Sequence, residues 1–290
     1  MIGMVSPFME YEFMARAALG GCVLAVAGAP LGVFLILRRM SLVGDAVGHA
    51  VLPGAAGAAL LTGGSTVLMT LGAALTGLLV FVTAGFASRA LRLPEDAGFA
   101  VFYLAALASG VMLASAGGGS VDLDRLLFGA ALGLDDTALL LAFLAAGASL
   151  VIIGILFRPL LLDTLDPQFL RTSGGPKWAG PLAQAAFFGL LALTTVASFH
   201  ALGALMSIGL TILPAIGARF WAKGVVTMMV YACGLGWLGV IMGLLTSFYA
   251  DAPAGAAIVA SLVAIVILSS LIGPVNSVVS RHLRQVSLVA

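Results

Sequence analysis

Residues 137–157 read TALLLAFLAAGASLVIIGILF, twenty-one positions without an acidic or basic side chain. At about 1.5 Å of rise per residue, a helix over this stretch is roughly 30 Å long, the thickness of a bilayer's hydrocarbon core. Charges resume at once on either side, with Asp135 and Asp136 before it and Arg158 after it. The stretch therefore reads as a membrane span. Six more charge-free stretches follow the same logic, at 17–37, 46–88, 97–121, 178–218, 224–250 and 252–280. Two are long enough for a pair of spans each. The first breaks near Thr62-Gly63-Gly64-Ser65 and the second near Ser198-Phe199-His200. The expected fold is an all-α polytopic membrane protein of one domain, residues 1–290, with about nine transmembrane helices. These fall at about 14–37, 43–62, 65–88, 97–116, 137–157, 179–198, 200–218, 224–248 and 254–275.

Composition points the same way. The chain is 62% hydrophobic and 9% charged, whereas soluble domains carry roughly 45–50% apolar and about 25% charged residues. Its 37 glycines suit helices that approach one another closely in lipid. A net charge of +1 supplies no basic field for nucleic acid. Cys22 and Cys233 lie in apolar runs with no metal-ligand spacing and read as small buried hydrophobes. The opening MIGMVSPFMEYEFMAR is acidic where a cleavable signal would be basic, so none is expected.

The loops divide by charge. Arg38, Arg39, Arg89, Arg92, Arg158, Arg171, Lys177, Arg219, Lys223, Arg281 and Arg284 fall on one side of a nine-span arrangement, eleven of the 13 basic residues. By the positive-inside rule that side is cytoplasmic, which puts the N-terminus outside and the C-terminus inside. Two loops exceed a turn. The outer one, about 115–136, is long enough for a re-entrant or surface helix. The inner one contains LDPQFLRTSGG, where Asp166 as N-cap and Pro167 at the first helical position open a short helix and Gly174-Gly175 closes it. That element is either a plain connection or a docking site for a cytoplasmic partner. Asp251-Ala252-Pro253 reads as the N-cap of the last span.

Ionisable groups inside spans mark function by default. Asp45 and His49 lie four residues apart, which places both on one face of a helix. Carboxylate with imidazole suits Zn²⁺, Mn²⁺ or Fe²⁺ better than Mg²⁺ or Ca²⁺. One pair is too few ligands, but a symmetric dimer would offer two of each, enough for four-coordination. The other readings are a hydrogen bond that ties two helical turns, or a proton relay in an ion-driven secondary transporter. Metal binding needs the neutral imidazole, so the metal reading carries an expected loss of transport in acid. His200, between two spans near the outer face, either receives metal or sits half wet at the interface. Pro214 falls inside a span and is expected to kink it, with a possible gating role. HExxH is absent, which leaves an intramembrane zinc protease without a site, and no GxxxxGK[ST] phosphate loop is present.

The segment LRRMSLVGDAVGHAVLPG at 37–54 resembles the signature of the permease subunits of zinc and manganese ABC importers, the metal-type ABC-3 family. Further segments agree in order: PEDAGFA at 94–100, DRLLFG at 124–129, FRPLLLDTLDPQFLRTSG at 157–174, ALGALMSIGLTILPAIGAR at 201–219 and SFYADAPAGAAIVA at 247–260. The resemblance implies a homodimer in a bacterial inner membrane, two copies of a separate cytoplasmic ATPase, and an extracytoplasmic metal-binding protein. It implies a fold similar to vitamin B12-type importer permeases, with a re-entrant outer helix and a cytoplasmic coupling helix. It identifies Asp45 and His49 with the Asp and His of the family's GDAxxHA motif, taken to ligate the metal. Asp166, Pro167, Phe169, Leu170, Arg171 and Gly174 fall on its coupling segment, about 162–175. The chain would be a non-catalytic permease working by alternating access, with no permanently bound cofactor and a transported divalent metal as substrate. Gly48 stands where many relatives carry Ser. His200 stands where others often have a different polar residue, which inclines the reading to Zn²⁺ over Mn²⁺ or Fe²⁺.

Overall fold

The computed structural model describes residues 7–40, 46, 49–62, 66–90, 95–116, 134–166, 168, 169, 176, 178–275 and 277. Among them the regular structure is entirely helical: α1 (Glu12–Leu37), α2 (Leu52–Thr62), α3 (Thr66–Ala90), α4 (Glu95–Ala116), α5 (Asp136–Leu165), α6 (Ala179–Leu202), α7 (Ala204–Ala218), α8 (Val225–Ala250) and α9 (Ala254–Ile272). Five are long and apolar enough to cross a membrane: α1, α5, the Ala179–Phe199 part of α6, α8 and α9. Shorter apolar helical stretches occur at Leu52–Thr62, Leu71–Ala84, Gly98–Leu113 and Met206–Ala218.

Helix α1 is the centre of the packing. It touches α5, α6, α7 and α8, and 72% of its most apolar window is buried, against 22% for α9. Helices α2, α3 and α4 pack on one another and join the rest where α3 meets α6. A group of aromatic rings makes that joint. Phe81 of α3 stacks on Phe188 of α6 with centroids 4.7 Å apart, and Phe99 of α4 lies 5.4 Å from Phe81. Phe187 of α6 meets Phe34 of α1 edge-on at 6.1 Å. Outward faces carry exposed Leu71, Leu75 and Leu79 on α3 and Val230 on α8, a surface that suits lipid rather than water. Two buried hydroxyls are satisfied within their own helices: Thr194 donates to the Leu190 carbonyl and Thr211 to that of Ser207.

Helices stop where local chemistry lets them. Asp135 caps α5, its carboxylate accepting from the Ala138 N–H at 2.8 Å. The stretch 178–218 breaks at Gly203 rather than at Ser198–His200, because Gly203 takes φ 85°, ψ 168°, a conformation open essentially to glycine alone. Asp251 ends α8 in the left-handed region, φ 51°, and is its C-cap; α9 starts after Pro253, with no side-chain cap. The N-cap reading of Asp251 is therefore wrong. Asp is among the few residues that enter the left-handed region readily, and here it reverses the chain. Helix α5 runs on past Arg158 and Pro159 to Leu165. The expected re-entrant helix at 115–136 lies mostly outside the described residues.

Candidate functional site

The segment that carries Asp45 and His49 begins where α1 stops. Arg39 adopts φ 59°, its N–H donates to the Ile36 carbonyl at 3.0 Å, and the Met40 N–H reaches back to Leu35 at 2.9 Å. This paired pattern closes a helix with a left-handed residue just beyond it. Met40 is buried against the aromatic joint. Asp45 lies outside the described residues. Ala46, His49 and Ala50 are helical. His49 is half-buried, and its ring lies 6.0 Å from that of Tyr103 on α4, tilted by 33°. Sequence reasoning missed Tyr103; no spacing rule links it to a motif on another helix.

What holds the His49 turn is close backbone packing. Val51 sits in a small apolar cluster with Ala55, Ala73 and Val196. A Cβ on Gly54 would collide with the carbonyl oxygen of Gly72 on α3, so α2 and α3 touch through backbone. On the other side, a Cβ on Gly110 of α4 would sit 3.0 Å from the Leu52 Cβ and the Pro53 nitrogen. Helix α2 is thereby gripped between α3 and α4, with His49 just ahead of its first turn. Among the described residues no group of three or more His, Cys, Asp or Glu side chains converges.

The other expected positions are dispersed. His200 is in the last turn of α6, its side chain outside the description. Pro214 is buried within α7, which continues through it to Ala218; a Cβ on Gly236 of α8 would be 3.5 Å from its ring. Asp166 directly follows α5, and its carboxylate accepts from the Phe169 N–H at 2.8 Å. That is the N-cap geometry expected for a short helix there. Phe169 is exposed, while Pro167, Leu170, Arg171 and Gly174 lie outside the described residues.

One constellation has a single member, Arg38, that the sequence marks as a loop charge. Arg38 donates from one terminal guanidinium nitrogen to Asp163 Oδ2 at 2.9 Å and from Nε to Thr164 Oγ1 at 3.1 Å. Its guanidinium carbon stands 4.6 Å from the centroid of the Phe187 ring. The pair is nearly dry, with side chains 8% and 14% exposed. Asp163, a lone acid in the run LLLDTL, was the signal for a buried partner. Arg38 neutralises Asp163 in the part of α5 that runs beyond the expected span.

A model of the ABC 3 transport family matches residues 10–273. The chain is 30% identical over 277 residues to the manganese transport system membrane protein MntC of Halalkalibacterium halodurans, covering 95% of this chain and 92% of that one. It is 31% identical over 259 residues to the chelated iron transport system membrane protein YfeD of Yersinia pestis, covering 89% and 85%. The solved structure of PsaBC from Streptococcus pneumoniae in complex with Fab superposes with a TM-score of 0.82 at 27% identity, over 95% of this chain and 98% of that one.

Proposed function

The chain belongs to the ABC 3 transport family, and from that premise we propose that it is the membrane-spanning subunit of an ATP-driven importer whose substrate is Mn²⁺. It is a multi-pass permease of a metal ABC importer in the bacterial inner membrane. The choice of metal follows the relatives, which are named for manganese and for chelated iron. The preference for zinc drawn from His200 finds no support in those names. An Asp–His pair accepts Mn²⁺, Fe²⁺ and Zn²⁺ alike, so the ligand types do not oppose the change.

One observation carries the reading. A half-buried imidazole, His49, stands just ahead of α2, the helix gripped between α3 and α4, four residues after an aspartate, in a chain similar to metal permeases along nearly its whole length. In this reading two copies pair so that Asp45 and His49 of each offer four ligands around a central path. A separate ATPase docks on the segment from Asp166 to Gly174, and a binding protein delivers metal at the opposite face. The path opens alternately to either side as α7 flexes at Pro214. The metal is held briefly by few ligands, as release requires.

The test is uptake into vesicles that hold the chain with its ATPase and binding protein, offering Mn²⁺, Fe²⁺ and Zn²⁺ in turn. ATP-dependent Mn²⁺ uptake is expected, with a loss on the order of tenfold or more in His49→Ala. Uptake of Fe²⁺ or Zn²⁺ alone would correct the substrate. Uptake that survives His49→Ala would reduce Asp45 and His49 to a structural pair, and uptake indifferent to ATP would favour a secondary transporter.

A further inference from the structure

Helices α1 and α5 run parallel and are tied at three levels. At their starting ends, Arg16 binds Asp136 Oδ1 at 2.8 Å while its Nε holds Glu12 at 2.9 Å. Midway, the buried Ser149 hydroxyl of α5 donates to the Ala27 carbonyl of α1 at 2.9 Å. At the far ends Arg38 clasps Asp163 and Thr164 beneath the Phe187 ring. Arg16 and Arg38 are 22 residues apart, about 33 Å along a helix, so the ties cover nearly the whole length of α1. Sliding or rotating one helix against the other would part the nearly dry ion pair and leave an uncompensated charge, the costliest way to deform such a contact.

Two segments leave this helix pair at the Arg38 end. One residue after α5 comes Asp166, whose carboxylate starts the turn containing Phe169. After α1 come Arg39 in its left-handed conformation, Met40, and the segment with Asp45 and His49. Both depart within a few residues of the Arg38–Asp163 contact.

We infer that α1 and α5 act as one rigid rod, locked by the Arg38–Asp163 pair, which carries displacement of the segment beginning at Asp166 to the segment holding Asp45 and His49. The inference rests on the importer reading and adds to it a route and a positioning residue, Arg38. Arg39 is the pivot just beyond the lock. Coupling of this kind needs a contiguous, stiff connection between two sites, and a salt bridge that also engages a hydroxyl and an aromatic face supplies one across α1, α5 and α6. The guanidinium uses two nitrogens on successive residues of α5, a geometry that a lysine ammonium reproduces only in part.

The experiment uses the whole transporter in vesicles with Mn²⁺ as probe, and reads metal uptake and ATP hydrolysis together. In a Cys22→Ala, Cys233→Ala background, Arg16→Cys and Asp136→Cys are joined by a short bifunctional thiol reagent. Uptake by the linked transporter is expected to equal that of the unlinked one. Loss of uptake on linking, restored by a reductant, would mean that α1 and α5 move against each other in the cycle, and would overturn the rod. Separately, Arg38→Ala is expected to lower the metal moved per ATP hydrolysed by about tenfold, with Arg38→Lys recovering part of the ratio. A fall in uptake and hydrolysis together at constant ratio would show a role in folding alone and overturn the assignment of Arg38. Linking leaves Arg38 intact, so it remains decisive where Arg38→Ala fails to assemble. A parent transporter without ATP-dependent metal uptake would overturn the importer reading itself, whereas an active parent stopped by linking overturns the rod alone.

Discussion

Gly54 and Gly57 stand one helical turn apart on α2 and meet opposite surroundings. A side chain at Gly54 runs into the Gly72 carbonyl and the Thr76 hydroxyl, and at Gly57 it meets nothing within 4 Å. Gly54→Ala should therefore cost about 1–3 kcal/mol through forced separation of α2 and α3. Gly57→Ala should be neutral or stabilising by about 0.5–1 kcal/mol, since alanine is the better helix former. Thermal unfolding of the two variants in detergent checks the contrast. Equal effects would mean that the α2–α3 contact is not the tight one. At this scale the sequence disclosed the titratable residues and little of their company. The four-residue interval from Asp45 to His49 is local and can be read by counting. Tyr103 beside His49, Asp163 beside Arg38 and Gly72 beside Gly54 come from distant segments, and nothing in one residue's neighbours in the chain names its neighbours in space.

Helices show a different division between what is local and what is not. Hydropathy locates them, because a run without charge leaves the backbone no better partner than itself in lipid. Their ends answer to particular residues. The cap at Asp135 and the turn opened by Asp166 follow from side chains that bind nearby N–H groups; the second is legible in the Asp-Pro pair, whereas Asp135 reads from sequence only as a charge beside the span. The stop at Gly203 and the reversal at Asp251 depend on left-handed backbone, which the sequence permits at many glycines and aspartates without choosing among them. In the extension of α5 to Leu165, Asp163 is paired with an arginine supplied from the end of another helix. The mid-helix tie from Ser149 to the Ala27 carbonyl can be tested at this level. Ser149→Ala removes one interhelical hydrogen bond and should cost about 0.6 kcal/mol, and under about 2 kcal/mol, as such bonds do in membranes. An effect well above that range in detergent unfolding would mean that the hydroxyl does more than join α1 to α5.

For the molecule as a whole, the orientation drawn from loop charge predicts a labelling pattern. Helix α8 is 26 residues long, about 39 Å, and outreaches a hydrocarbon core of roughly 30 Å. The exposed residues Lys223 and Asp251 flank it. With the native cysteines replaced, a cysteine at position 251 should react with a membrane-impermeant maleimide in intact cells, and one at position 223 only after the membrane is opened. The reverse pattern would turn the protein over and move the segment at Asp166 away from any cytoplasmic ATPase. The buried pair of Arg38 and Asp163 also sets a condition on biosynthesis. Its members are 125 positions apart, so at about 5–20 residues per second the ribosome needs roughly 6 to 25 s to deliver the carboxylate after the guanidinium. Through that interval the arginine end of α1 has to remain among water and lipid headgroups. A nascent chain released before Asp163 lacks the partner that lets this end settle into the dry interior.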